Sequence, residues 1–249
     1  MPVPDQPVQQ PPPVQKLRIR YAKRDRLRFT SHRDFGRAFE RAVRRAGLPI
    51  AYSSGFNPHP RISYANASPT GASSEAEYLE IGVTTACDPD VVRQRLDAAL
   101  PAGLDILDVV VASPGGLAER LEAGRWAVEL PGLSLQQVVP AVDAFLAAER
   151  VEVERMMKNG LRSFDCREAV VSLAARAAEG PGQEYAILDM VVRHGTPAVR
   201  PDDILAGLRA VAGLVAPVPP RQTRLAQGPL DSQTGSVGDP LESDRDATA

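Results

Sequence analysis

The chain has little of what most catalytic centres are built from. Its 249 residues include only two cysteines, three histidines and one tryptophan. Cys87 and Cys166 lie far apart in sequence, which excludes a disulfide framework, a CxxC redox pair and a local thiolate metal site. An iron–sulfur cluster held by this chain alone is excluded too, since such clusters take about four cysteine thiolates. Three scattered histidines make no metal site. There is no GxGxxG or Walker A pattern, no Gly-x-Ser-x-Gly elbow and no Cys/His nucleophile arrangement. No apolar run reaches about 18 residues, so no transmembrane helix is expected. The start, MPVPDQPVQQPPPVQ, has neither a basic region nor an apolar one, so it does not read as a secretory leader, and a cytoplasmic protein with reduced thiols is expected.

What is present is a polarised charge. The formal net charge is −2, yet residues 16 to 61 carry thirteen Lys or Arg against three acids, Asp25, Asp34 and Glu40. That local excess points to a polyanionic partner, RNA first among them. The hydrophobic fraction of 43% and the charged fraction of 24% are ordinary for a globular protein of one large or two small domains.

The alternation of apolar and polar residues predicts a repeated unit. Leu17, Ile19 and Tyr21 alternate with Arg18 and Arg20 as a half-buried strand, and Lys23 to Arg26 reads as a hairpin that returns Leu27 and Phe29 to the core. Ser31 and Asp34 fit a capping box ahead of a helix whose apolar stripe holds Phe35, Phe39, Ala42 and Val43. Strands are expected at 50–54, 61–67 and 77–85, a helix from Asp88-Pro89 to Leu100, and a strand at 104–112. The order β-α-β-β-α-β is that of ferredoxin-like folds. A second copy is expected from a strand at 126–130, a helix at 134–149, strands at 151–157, 166–175 and 185–193, a helix at 201–213 and an edge strand at 217–225. The fold class is therefore α+β, two tandem ferredoxin-like (βαββαβ) units. The expected boundaries are 1–15 as a disordered Pro-rich tail, 16–113 as the unit with the basic face, 114–124 as a connector, 125–225 as the second unit and 226–249 as a disordered acidic tail. The last segment is poor in large apolar groups and cannot repay the entropy of ordering. It solvates the chain or, in a sharper reading, shields the basic face.

Two features carry candidate chemistry. The first is the cation set of the strand hairpin (Arg18, Arg20, Lys23, Arg24, Arg26, Arg28), of the helix (Arg33, Arg37, Arg41, Arg44, Arg45) and of Arg61. Guanidinium forks match phosphate, and crowding them on one face costs stability unless a polyanion neutralises it. Only Glu40 is placed for an i,i+4 pair with Arg44. A solvated face and an acidic protein surface are the alternatives. The second is the loop Gly55-Phe56-Asn57-Pro58-His59-Pro60. Two prolines stiffen it, Gly55 permits a tight turn, Phe56 and His59 offer flat faces and Asn57 a base-reading amide. A plain hairpin with Phe56 in the core is the competing reading. His32 and His59 are the weak candidates for acid–base catalysis on a phosphodiester, as in tandem ferredoxin-like endonucleases that process CRISPR repeats. His194 reads as a turn residue. The small, polar Pro69 to Ser74 stretch offers backbone amides to an anion, and Glu75, Glu77 and Glu80 read as surface acids.

The words YAKRDRLRFTSHRDFGRAFERAVRRAGLP, YSSGFNPHPRISYA and PTGASSEAEYLEI resemble the radical-SAM-linked family, bacterial domains of unknown function found alone or fused behind a radical SAM enzyme. The likeness is dense over residues 16–85 and thinner to about 225; Arg33 and Phe35 stand where the family usually has Leu. The resemblance implies a radical SAM partner that carries the iron–sulfur cluster and SAM, and an RNA or ribosome context; with too few cysteines for a cluster, no cofactor is expected in this chain, and the RNA is expected to be ribosomal or transfer RNA. Three functions follow as expectations: a non-catalytic RNA-binding accessory module, a metal-independent RNA-processing endonuclease, or a protein–protein adaptor.

Overall fold

The computed structural model describes residues 9–157, 160–180 and 184–247. The chain forms two units, Met1–Glu119 joined by Pro240–Ala249, and Arg120–Asp239. Both are α+β. Residues 1–8 of the expected Pro-rich tail lie outside the described residues. Of its described part, Val14 donates its backbone N–H to Val83 and Gln15 opens the first strand.

The first unit runs β1 (Gln15–Lys23), α1 (His32–Arg45), β2 (Ile62–Ala65), β3 (Ser73–Val83), α2 (Pro89–Ala99) and β4 (Ile106–Val111). Within it the strands lie in the order β4-β1-β3-β2, every pair antiparallel. Alternation along β1 sends Leu17, Ile19 and Tyr21 into a core with Phe35, Phe39 and Val43 of α1 and Leu79 and Ile81 of β3. It sends Arg18 and Arg20 to the other face. Ser31 caps α1 by accepting from the Asp34 N–H at 3.2 Å, and Asp88 caps α2 from the N–H groups of Asp90 and Val91.

Three expectations fail in this unit. No strand returns after Lys23. Asp25–Phe29 is a 3-10 turn entered through Asp25 at φ +49°, because both edges of β1 are already taken by β3 and β4 and a third ladder has nowhere to form. Phe29 is accordingly exposed rather than in the core. The expected strand at 50–54 reduces to single bridges, Ile50 to Val83 and Tyr52 to Pro60. The acidic tail is ordered through residue 247. It ends in a short helix, α5 (Glu242–Asp246), with Leu241 and Asp244 wholly buried in the first unit. Composition alone undervalued one buried leucine and one buried ion pair.

The second unit runs β5 (Ala123–Leu130), α3 (Leu135–Ala147), β6 (Glu152–Met157), β7 (Gly160–Asp165), β8 (Val170–Ala177), β9 (Ala186–Arg193), α4 (Pro201–Ala212) and β10 (Arg221–Gly228). Its own order is β10-β5-β9-β8, again antiparallel. The expected strand at 151–157 does not join that sheet. It pairs with β7 as a separate two-stranded hairpin carrying exposed Met156 and Leu161 directly opposite one another. The strand expected at 166–175 is β8 and begins later, after Cys166. The expected connector 114–124 contains a 3-10 turn at Ala118–Arg120, and β5 already begins at Ala123.

The two thiols differ in environment. Cys166 is buried, and burial first, then Asp165 and Asp203, pushes its thiol up to about 12, whereas Cys87 is partly exposed. Native protein at neutral pH is therefore expected to take one iodoacetamide label, at Cys87, with Cys166 reacting only on unfolding. Peptide mass mapping reads this directly.

Candidate nucleic-acid interface

The twelve expected cations separate into two populations by what their side chains engage. The set on β1 and just beyond it is engaged inside the first unit. Arg18 is 1% exposed. Its guanidinium donates to Glu80 at 3.2 Å, to Asp244 at 2.6 Å and to the Ser113 and Gly115 carbonyls. Arg20 donates to the Glu75 carbonyl. The Lys23 ammonium is buried against the carbonyls of Ser68 and Pro69. Arg24 pairs with both Glu75 and Asp105, and those carboxylates, led by Glu75, raise its pKa further. These side chains hold strands and loops together. Arg18 and Lys23 are buried and so withheld from a phosphate, whereas Arg20 and Arg24 are partly exposed and already bonded, Arg24 in two ion pairs.

The second population is outward. Arg26 is exposed on the 3-10 turn, and Arg33, Arg37, Arg41, Arg44 and Arg45 are exposed along α1. Glu40 lies 3.8 Å from Arg44, the expected i,i+4 pair, and Arg45 donates to the Ala99 carbonyl at the end of α2. The helix buries Phe35, Phe39, Ala42 and Val43 and leaves its arginines on the opposite side, as a 3.6-residue period requires. Arg28 is half-buried, its guanidinium 4.6 Å from the centroid of the exposed Phe29 ring.

The 55–60 loop is pinned at its base. Ser53 donates its N–H to the His59 carbonyl and accepts the His59 N–H on its hydroxyl. Arg61, itself exposed, donates to the Tyr52 carbonyl. Gly55 sits at φ +129°, a conformation open to glycine. Phe56 is 73% exposed and Asn57 and His59 are exposed, so the loop has no core anchor at Phe56.

The structure brings one expected residue into an unexpected cluster. The ring of His32, at the first turn of α1, meets Tyr64 edge-on with centroids 4.9 Å apart, and Phe35 stacks on Tyr21 and meets Tyr64 edge-on. Burial and nearby Glu40 raise the Tyr64 phenol well above its ordinary pKa. His59 sits on the separate loop. His194 is part-buried in the second unit; its Nδ1 lies 2.8 Å from the Leu121 carbonyl, and burial lowers its pKa. Among the described residues no group of three or more His, Cys, Asp or Glu side chains is placed to hold a metal ion.

The Pro69–Ser74 stretch spends two of its amides within the fold. The Gly71 N–H goes to Arg28 and the Ala72 N–H to Pro69, and the carbonyls of this neighbourhood receive the Lys23 ammonium. Glu77 is buried and accepts the Ser68 N–H, and Glu75 and Glu80 are in ion pairs, so none is a free surface acid. A cleft of about 440 Å³ opens beside Lys16, Ser63, Glu80 and Gly115. Sequence patterning missed the inward fate of Arg18 and the outward fate of Phe29. The acids that receive the first lie far along the chain, Glu80 on β3 in register with Arg18, a pairing that local patterning does not supply.

Among described residues no helix is long and apolar enough to cross a membrane. A family model described as uncharacterized protein conserved in bacteria (DUF2344) matches residues 16–201, and the chain belongs to that family. No curated protein matches it. Among solved structures it is similar to a chain of a Cbf5-Nop10-Gar1 complex, at 10% identity and a TM-score of 0.43 over 91% of this chain and 55% of that one, so it spans about half of that chain. It is similar to an unknown protein from Galdieria sulphuraria at 15% identity and a TM-score of 0.24, over 84% of this chain and 98% of that one. A Dyp-type peroxidase protein from Shewanella oneidensis gives 9% identity and a TM-score of 0.21, over 90% and 95%. Likenesses this distant carry no functional argument.

Proposed function

We propose that this member of the family is a non-catalytic RNA-binding accessory module of two ferredoxin-like units, which presents RNA to a radical SAM enzyme acting in trans. The strand orders β4-β1-β3-β2 and β10-β5-β9-β8, each threaded by two helices, support the ferredoxin-like reading; the β6–β7 hairpin is an insertion in the second. The observation that carries the RNA reading is the outer face of α1. Arg33, Arg37, Arg41 and Arg44 stand exposed on consecutive turns with Glu40 interleaved. Like charges at that spacing repel, and a phosphate backbone removes the repulsion while accepting forked hydrogen bonds. The Gly55 to Arg61 loop adds exposed Phe56, Asn57 and His59 as contacts for a strand end. The radical SAM partner, with its iron–sulfur cluster and SAM, and the ribosome context rest on the resemblance of residues 16–85 alone, and the RNA is proposed to be ribosomal or transfer RNA.

The test is a titration of labelled RNA by fluorescence anisotropy across a salt series. Wild type is expected to bind with an affinity that falls steeply with salt. Arg37→Glu with Arg41→Glu is expected to weaken binding and to lower the log–log salt slope by about one for each phosphate no longer neutralised. Undiminished binding by that double variant, or a flat slope, overturns the reading. Capture of a radical SAM protein that survives nuclease treatment would favour the adaptor function instead.

A further inference from the structure

The geometry points to a stacking site for one unpaired nucleobase, formed by Phe29 and Arg28 on the 3-10 turn ahead of α1. This inference rests on the RNA reading and narrows its partner to single-stranded segments. Leu27 and Phe29 are two apart and would share a strand face, but the turn divides them. Leu27 packs on the core, and Phe29 is left 59% exposed.

A lone exposed phenylalanine is common on protein surfaces. This one is held in a defined setting. The Arg28 guanidinium lies 4.6 Å from its ring centroid. Gly71 comes up to the ring edge, since a Cβ there would stand 4.0 Å from Phe29 Cε1. The Gly71 N–H donates to the Arg28 carbonyl at 2.8 Å, tying the turn to the loop before β3, and Thr30 closes it by donating to Leu27. Two torsions and a fixed backbone make the ring a preorganised platform.

The surroundings favour a nucleotide over an apolar side chain. Arg26 and Arg33, both exposed, flank the ring within four residues on either side. Of the two acids within five residues of Phe29 in sequence, Asp34 is engaged by the Ser31 hydroxyl at 2.7 Å and Asp25 is exposed. A planar guanidinium on a phenyl ring extends the stack, so a base lies flat on the pair while its flanking phosphates meet Arg26 and Arg33. A base inside a duplex is already stacked on its neighbours and offers no free face. The occupant is therefore an unpaired base, with little preference among the four because each has a π-face.

The experiment uses the full chain and an oligoribonucleotide carrying 2-aminopurine, free as a single strand or annealed to its complement. Wild type is expected to quench the single-stranded probe and to leave the duplex signal unchanged. Phe29→Leu is expected to abolish the quench and weaken single-strand binding by about 5- to 150-fold, with Phe29→Trp retaining both and with thermal melting unchanged. Equal quenching by Phe29→Leu, or a duplex bound as tightly with the same dependence on Phe29, overturns the stacking site. If Arg37→Glu with Arg41→Glu loses RNA while Phe29→Leu does not, the RNA reading stands and the stacking site falls. If wild type binds neither probe, both fall.

Discussion

Asp244→Ala is expected to destabilise the protein by about 3–5 kcal/mol, the cost of removing one partner of a buried ion pair. The cation is Arg18, which sits at 1% exposure in the middle of β1, with Asp244 at 0%. Asp244 Oδ1 receives Arg18 Nη1 at 2.6 Å, the Ser113 N–H at 2.8 Å and the Ser113 hydroxyl at 2.6 Å. The neighbouring Arg245 pairs with Asp108 at the surface. The C-terminal segment thus returns, after the whole second unit, to satisfy a guanidinium of the first. Denaturant unfolding reads the loss, with Asp246→Ala as the control. That side chain is exposed, and its removal is expected to change stability by no more than about 0.5 kcal/mol. Wild-type stability in Asp244→Ala would show that Glu80 and the two carbonyls suffice for Arg18.

The same pair sets a pH dependence. Burial pulls the Asp244 carboxyl upward, but the bonds from Arg18 and Ser113 outweigh it and hold it below its ordinary value. A carboxyl depressed in the folded state contributes stability that is present above its unfolded pKa and is lost as pH falls through the folded one. Wild type is therefore expected to lose stability on acidification below the ordinary carboxylate range, and Asp244→Asn to lose less over that interval.

The second large effect is a contrast between two helical glycines. Gly207→Ala in α4 is expected to destabilise by about 1–3 kcal/mol, the usual cost of overpacking. Its Cβ would stand 2.8 Å from Phe145 Cε2 and 3.0 Å from both Cys166 Sγ and Val151 Cγ1, and Phe145 and Cys166 are themselves fully buried with no room to yield. Gly36→Ala in α1 makes the same chemical change with the opposite sign. Its Cβ would meet only Tyr64, the hydroxyl at 3.5 Å and Cζ at 3.9 Å, both ordinary contacts, so the gain in helix propensity of about 0.8–1 kcal/mol is expected to appear. Paired thermal melts of the two variants read both signs. A stable Gly207→Ala protein would mean that α3 and α4 can separate without loss.

How much of this was legible in the residues follows from range. Helix α1 was, because its cap, its apolar stripe and its arginines are local and periodic; Ser31, Phe35, Phe39 and Val43 all stand where the pattern put them. The alternation of β1 was legible too, down to which face holds Leu17 and Ile19. The exposed arginines of α1 and the outward loop at Phe56 were candidates that the structure leaves available. The cations of β1 were not separable from them by composition. Whether an arginine faces water or a carboxylate depends on what stands opposite, and Glu80, Ser113 and Asp244 come from distant parts of the chain.

The sequence by itself determined the α+β class, the amphipathic helices and the concentration of positive charge in residues 16–61, because each depends on near neighbours and on net composition. Only the tertiary structure decided which of those charges face outward. Pairing β1 on both edges removed the expected hairpin and put Phe29 at the surface, and the returning C-terminal segment enclosed Arg18. Those outcomes depend on which strand edges are already occupied and on contacts made across the whole length of the chain, and no local pattern encodes either.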